Sequence, residues 1–284
     1  MPLERISVIL KEADLNGYGI AAFNVFNYET IAWALEVAEE EKIPVIIQFY
    51  PGFNDFISMG TVVAITREIA SKISVPIGLH LDHSKSFEQA MAGIRYGFPS
   101  IMIDGSTLNF NENIRLTREV VKVAHSLGVE VEAELGYVGR GIEIDYFTNP
   151  EYYTDPDLCE DFVSETGVDA LAISIGNAHG QYIATPKLDF ARLEKINQRV
   201  TIPLVLHGGS DIPDEQIRKA IELGINKVNI ATEYDRTFYQ TVKNLMKQET
   251  NRGFMYGCLN KVKKEVKEFI RGKIRLLNPK GYKI

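Results

Sequence analysis

Eight short apolar runs, each followed by a longer amphipathic stretch, alternate along this chain of 284 residues. The runs lie at 19–23, 44–49, 76–81, 99–103, 129–134, 169–175, 203–206 and 226–230. Helical spacing follows them at 28–42, 58–73, 86–96, 111–127, 156–166, 188–199, 213–223 and 233–249. A leading helix is expected near 3–15, and a charged helix over about 259–275 extends the C-terminus. Repeated βα units build a parallel sheet, and eight of them in about 260 residues is the size of a closed barrel. A doubly wound sheet would carry glycines in its first turn, where Phe23-Asn24-Val25-Phe26-Asn27 stands instead. No linker, low-complexity tract or charge block divides the chain. The expectation is an α/β protein, one catalytic domain over 1–284, folded as a (β/α)8 TIM barrel with a leading N-terminal helix and a C-terminal helical extension.

Charge narrows the partners. Lys and Arg number 31 against 38 Asp and Glu, a net charge of −7, which argues against nucleic acid, whose binding needs a basic surface. Small anions stay compatible, because backbone amides hold phosphate in acidic proteins too. Cys159 and Cys258 form no disulfide framework. The first residues lack the apolar core of a signal peptide, and no apolar run reaches the roughly 18 residues of a membrane span. A cytoplasmic protein without membrane contact is expected.

In a barrel enzyme the chemistry gathers at the C-terminal ends of the strands. Strand one ends at Asn24 and strand two holds Gln48. Strand three ends in His80-Leu81-Asp82-His83, strand four at Asp104 and strand five at Glu134. Strand six runs into Gly176-Asn177-Ala178-His179, strand seven into His207-Gly208-Gly209-Ser210, and strand eight into Asn229. Three histidines, His83, His179 and His207, thus fall just past strand ends at one mouth, and three imidazoles with an open fourth position suit a catalytic zinc. His125, on a helix, reads as structural, while His80 shares parity with Asp82 and points inward. Asp82, beside His83, either exchanges a proton with substrate or orients a histidine.

Strand five alternates Val129, Val131 and Ala133 with Glu130, Glu132 and Glu134, so the glutamates face the barrel interior. Glu134, nearest the mouth, is an alternative metal ligand. Glu130 and Glu132 are expected to pair with interior cations, Lys227 among them. Gly208-Gly209-Ser210 and Asn229-Ile230-Ala231-Thr232 occupy the loops where barrels commonly bind phosphate. Residues 135–155 break the rhythm with about 20 residues rich in Gly, Tyr and acids. A connection of that length is a lid over the site or a surface insert.

These segments resemble the class II, zinc-dependent ketose-bisphosphate aldolases from about residue 3 to 240. The resemblance rests on Leu79-His80-Leu81-Asp82-His83, Ile103-Asp104-Gly105-Ser106, Glu132-Ala133-Glu134-Leu135-Gly136, His179-Gly180, Leu206-His207-Gly208-Gly209-Ser210 and Asn229-Ile230-Ala231-Thr232-Glu233. It implies a (β/α)8 fold, Zn2+ held by His83, His179 and His207, and a monovalent cation (Na+ or K+) near the phosphate loops. It also implies a homodimer or homotetramer and a small phosphorylated sugar as substrate. Asp82 would move the C4 hydroxyl proton, while zinc polarises the C2 carbonyl and stabilises the ene-diolate. Gly180, Gly208, Gly209, Ser210 and Thr232 would cradle the C1 phosphate, with Asn229 on the dihydroxyacetone phosphate half. Asn24 and Gln48 would complete the substrate pocket, and Asp104 and Glu134 match a second or alternative metal position.

The loop after strand five would supply the acid–base group for C3, with Glu143 the first candidate and Asp145 the second. Tyr50 stands where a small residue is usual, so the aldehyde half of the substrate is expected to differ. Ala231 resembles the tagatose-type enzymes. The last 35 residues match poorly, and Arg252 is the candidate cation for the distal phosphate. The implied reaction is reversible cleavage of a ketose 1,6-bisphosphate, of tagatose or fructose type, to dihydroxyacetone phosphate and an aldehyde such as glyceraldehyde 3-phosphate. Action on another 1-phosphoketose and a non-catalytic barrel scaffold are the competing readings.

Overall fold

A computed structural model describes residues 3–247 and 254–281. Eight parallel strands close into a barrel in chain order: β1 (Ile20–Asn24), β2 (Val45–Phe49), β3 (Ile77–Ser84), β4 (Ser100–Ile103), β5 (Glu130–Leu135), β6 (Ala170–Ile173), β7 (Leu204–Leu206) and β8 (Ile225–Ile230). Helices α2 (Tyr28–Glu41), α3 (Met59–Ala70), α4 (Phe87–Tyr96), α5 (Phe110–Ser126), α7 (Pro156–Thr166), α8 (Phe190–Asn197), α9 (Asp214–Glu222) and α10 (Thr232–Met246) follow the strands in turn. Helix α1 (Ile6–Asn16) precedes the barrel, α6 (Ile144–Thr148) lies between β5 and α7, and α11 (Met255–Leu277) ends it. This is the expected (β/α)8 barrel with both terminal helices. No helix among the described residues is long and apolar enough to cross a membrane.

Outward-facing Val, Ile and Leu of the strands pack under the helices in one continuous core. The bottom of the barrel is plugged by α1, whose Ile6, Ile9, Leu10 and Ala13 meet Ile20, Ala22 and Ile46. Arg5 ties that plug to Glu130 at 3.0 Å, so the cation that Glu130 takes comes from the leading segment. Polar N-caps start many of the helices: Asn27, Ser58, Ser86, Asn109 and Asp189 each accept a backbone N–H of the first turn, satisfying donors that the helix leaves free.

Three boundaries differ from the sequence reading. Strand β3 runs three residues past Leu81, so His83 lies within it. The 135–155 segment holds α6 and a 3-10 turn over Pro150–Tyr152. Buried Tyr146 anchors it, donating from its hydroxyl to the Asn177 carbonyl at 2.6 Å. A second long connection, 174–189, joins β6 to α8; the apolar Ile175 extends strand six by two residues in the sequence reading.

Candidate active site

The C-terminal ends of the strands open on a cavity of about 370 Å³. Asp82 and His83 both line it, although neighbours along a strand normally face opposite sides. The pairing of β3 with β4 shifts register between Leu81 and Ser84, and His83 takes a φ of 49°. That bulge turns the imidazole inward beside the carboxylate.

Three ring nitrogens meet there. His83 Nε2 lies 3.1 Å from His179 Nε2 and 2.9 Å from His207 Nδ1. Each ring turns its other nitrogen to an acceptor: His83 Nδ1 to Asp104 Oδ2 at 2.7 Å, His179 Nδ1 to the Val138 carbonyl at 3.2 Å, and His207 Nε2 to Glu132 Oε1 at 2.8 Å. Protons on those outer nitrogens leave lone pairs facing one another. Glu134 Oε2, buried without a hydrogen-bond partner, lies 3.7 Å from His207 Nδ1. His83, Asp104 and Glu134 also converge as a second donor set. Tetrahedral zinc with bonds of ~2.0–2.1 Å separates its ligand nitrogens by about 3.3 Å, close to the spacing here. The residues therefore fit a divalent cation.

The electrostatics agree with that fit. Burial opposes charge on His83, but Asp82, Asp104 and Glu134 outweigh it and push this imidazole up to about 9. Burial, with the charge on His83, holds His179 and His207 well below the usual imidazole range. Burial pushes Glu134 up to about 8, with Asp104 adding to it. Burial would raise Asp104 too, but His83 and Lys85 hold it well below the ordinary carboxylate range.

Asp82 is held from both sides. Asn24 donates to Oδ2 at 2.8 Å and Asn229 to Oδ1 at 3.4 Å. Gln48 lies beneath the cavity and donates to Asn24 Oδ1 at 2.6 Å, so it touches the site through Asn24. Gly180, Gly208, Ser210, Ala231 and Thr232 line a further wall, where α10 begins at Thr232 and its Glu233 N–H donates to Ser210 Oγ at 3.1 Å. Gly209 stands behind that wall, its N–H given to the Asn229 carbonyl at 2.9 Å. Glu143 lies outside the cavity beside Tyr137 and Ile142, with its carboxylate accepting from the Arg140 N–H at 3.0 Å. His80 points inward to Ser100, and His125 pairs with Asp169 on the outside. Arg252 lies outside the described residues.

Further groups line the cavity besides the expected site residues. Lys85 pairs with Asp104 and lines the cavity with Ser106, Thr107 and Arg140; only its spacing two residues beyond His83 hinted at the mouth. The Val138 carbonyl acts through the backbone, which side-chain motifs do not report. Tyr50 lines the cavity as a partly exposed phenol, edge-on to Phe53.

The family model described as fructose-bisphosphate aldolase class-II matches residues 4–282, so the match continues through the tail that was expected to diverge. The fold is similar to the crystal structure of the YdjI aldolase from Escherichia coli K12, at 39% identity, 97% coverage of both chains and a TM-score of 0.87. A candidate fructose-1,6-biphosphate aldolase from Coccidioides immitis is 30% identical, with 98% of this chain and 97% of that one covered and a TM-score of 0.85. Fructose-bisphosphate aldolase from Campylobacter jejuni, 24% identical over 96% and 94%, shares the fold at a TM-score of 0.83. A family match over nearly the whole length, on a barrel whose mouth gathers these side chains, makes the chain an enzyme of the lyase class and a member of the class II fructose-bisphosphate aldolase family.

Proposed function

We propose that the chain, acting as one catalytic unit over 1–284, is a zinc-dependent aldolase. It reversibly cleaves a ketose 1,6-bisphosphate of tagatose or fructose type to dihydroxyacetone phosphate and an aldehyde such as glyceraldehyde 3-phosphate. The observation that carries this reading is the meeting of three imidazole nitrogens, with His179 Nε2 and His207 Nδ1 within 3.1 Å of His83 Nε2, beside a carboxylate 4.0 Å away. His83, His179 and His207 hold the metal, with Asp104 and Glu134 as the alternative donor set. A bound divalent cation supplies Lewis-acid polarisation of the C2 carbonyl. Asp82, steadied by Asn24 and Asn229, takes the C4 hydroxyl proton as C3–C4 breaks and returns it in synthesis. The bond's electron pair passes to the three-carbon ketone half, where C3 is then protonated. Glu143 supplies that proton after the 135–155 loop shifts it from its contact with Arg140.

Gly180, Gly208, Ser210 and Thr232 receive the C1 phosphate on backbone and hydroxyl donors, supported from behind by Gly209, with Ala231 at the start of α10. A monovalent cation, Na+ or K+, near these loops, a homodimer or homotetramer, and a cytoplasmic location complete the reading.

The test is release of dihydroxyacetone phosphate from tagatose and fructose 1,6-bisphosphates, with and without a chelator. Chelator-sensitive turnover of either sugar is expected, and kcat/KM ranks them. Zinc-loaded protein silent on both would overturn the substrate and move the search to other 1-phosphoketoses.

A further inference from the structure

We infer that Glu132, backed by Lys227, is a positioning residue that decides which nitrogen His207 turns to the metal site. The inference rests on the histidine cluster being that site. His83 and His179 both turn Nε2 to the cluster, whereas His207 turns Nδ1. The asymmetry has a local cause. His207 Nε2 points down into the barrel and meets Glu132 Oε1 at 2.8 Å. The other oxygen of Glu132 accepts from Lys227 Nζ at 2.7 Å. Side chains of Glu132, His207 and Lys227 are 3%, 0% and 0% exposed, so neither ion has water to replace its partner.

Packing does not account for this pair. Barrel interiors are filled mainly by branched apolar side chains, and a buried ion pair is often no better for stability than apolar residues of the same volume. Here the neighbouring strands make room for it: Ala170 stands beside Glu132 in register and Val205 beside Lys227. His80 closes a further side, its Nδ1 on Ser100 Oγ at 2.8 Å and its Nε2 3.6 Å from Glu132. The pair therefore spans the barrel from β5 to β8 directly beneath the histidines. An imidazole whose Nε2–H is given to a carboxylate has its Nδ1 lone pair free and its ring orientation set. Lys227 supplies the countercharge that lets the carboxylate stay there as an acceptor. Neither residue touches the cavity, so both act through His207.

The experiment measures Zn2+ affinity of the full chain by competition with a chromophoric chelator. The variants are Glu132→Gln and the double change Glu132→Gln with Lys227→Met, which removes both charges together. A rise in Kd of about 10–100-fold is expected in each, with the melting temperature of the metal-free double variant close to that of the parent. Parental zinc affinity in the double variant would overturn the positioning role. A measurement on the unmodified protein covers variants that fail to fold. In zinc-loaded, 15N-histidine-labelled protein, His207 should show a downfield proton on Nε2 and none on Nδ1; the opposite pattern overturns the inference. A parent chain that binds neither Zn2+ nor Co2+ overturns the metal site itself. A parent that binds zinc yet cleaves neither sugar leaves the role of Glu132 standing.

Discussion

At His83 the backbone adopts a left-handed conformation, with φ at 49°, which costs a residue bearing a Cβ about 1–2 kcal/mol. Bulged strand geometry of this kind gathers at functional sites, and here its product is two adjacent side chains facing one cavity. The neighbouring positions should separate cleanly in experiment. His83→Ala removes the ring shared by both convergent donor sets, so bound zinc and activity should be lost together, read by metal analysis and the coupled assay. Asp82→Ala should keep stoichiometric zinc and lose cleavage by about 10²-fold or more, the scale of a missing acid–base group. Retained zinc in the first, or a near-parental rate in the second, would reverse those roles.

Two connections shape the mouth. The loop after β5 and the loop after β6 are stitched together by backbone hydrogen bonds, Gly141 N–H to the His179 carbonyl and His179 N–H to the Gly139 carbonyl, both at 2.8 Å. The 135–155 loop and one of the ring donors therefore share a scaffold, although that loop reads in the sequence as a break in pattern. Glu143→Ala should slow exchange of the C3 proton in dihydroxyacetone phosphate more than C–C cleavage, measured by solvent deuterium incorporation; equal loss of both would point to another donor. After β7, Gly208 has a φ of 60°, and a Cβ there would stand 2.0 Å from the Ala178 carbonyl oxygen. Gly208→Ala should thus cost more than the ~1–2 kcal/mol of the left-handed conformation. Denaturant unfolding would register it, together with a raised KM for the phosphorylated sugar.

Over the whole molecule, α11 closes the outer ring against α2, α9, α10 and β1. Its buried stripe of Val262, Val266, Ile270 and Ile274 recurs every fourth residue, as one face of a helix requires. Basic residues beside the stripe meet Glu36, Glu40 and Glu41 of α2. The two kinds of contact should differ in weight. Ile270→Ala opens a cavity in a fully buried position and should cost about 2–5 kcal/mol. Arg275→Ala, on a side chain 62% exposed, should cost less than about 1 kcal/mol. Chemical denaturation compares them directly, and equal losses would assign the docking of α11 to its ion pairs.

Periodicity is a local property, and it carried the architecture: eight apolar runs with amphipathic stretches between them admit a closed parallel barrel and little else. Strand polarity then put Asn24, Asp82, Asp104, Glu134, His179, His207 and Asn229 at one mouth, since parallel strands all end on the same face. Closure of the barrel decided the rest. Alternation along β3 would send His83 away from Asp82, and only the bulge against β4 brings both inward. Strand parity offered Lys227 as a partner for Glu132, and the two, 95 positions apart, meet where β5 and β8 face each other across a closed sheet. Lys85 and the Val138 carbonyl reach the site through loops whose paths are set by contacts with other loops. Glu143, which the family resemblance singled out, lies off the cavity, its carboxylate accepting from the Arg140 backbone N–H. Patterns of side-chain type report which face a residue takes within its own element, while distances between elements exist only once the chain has closed on itself.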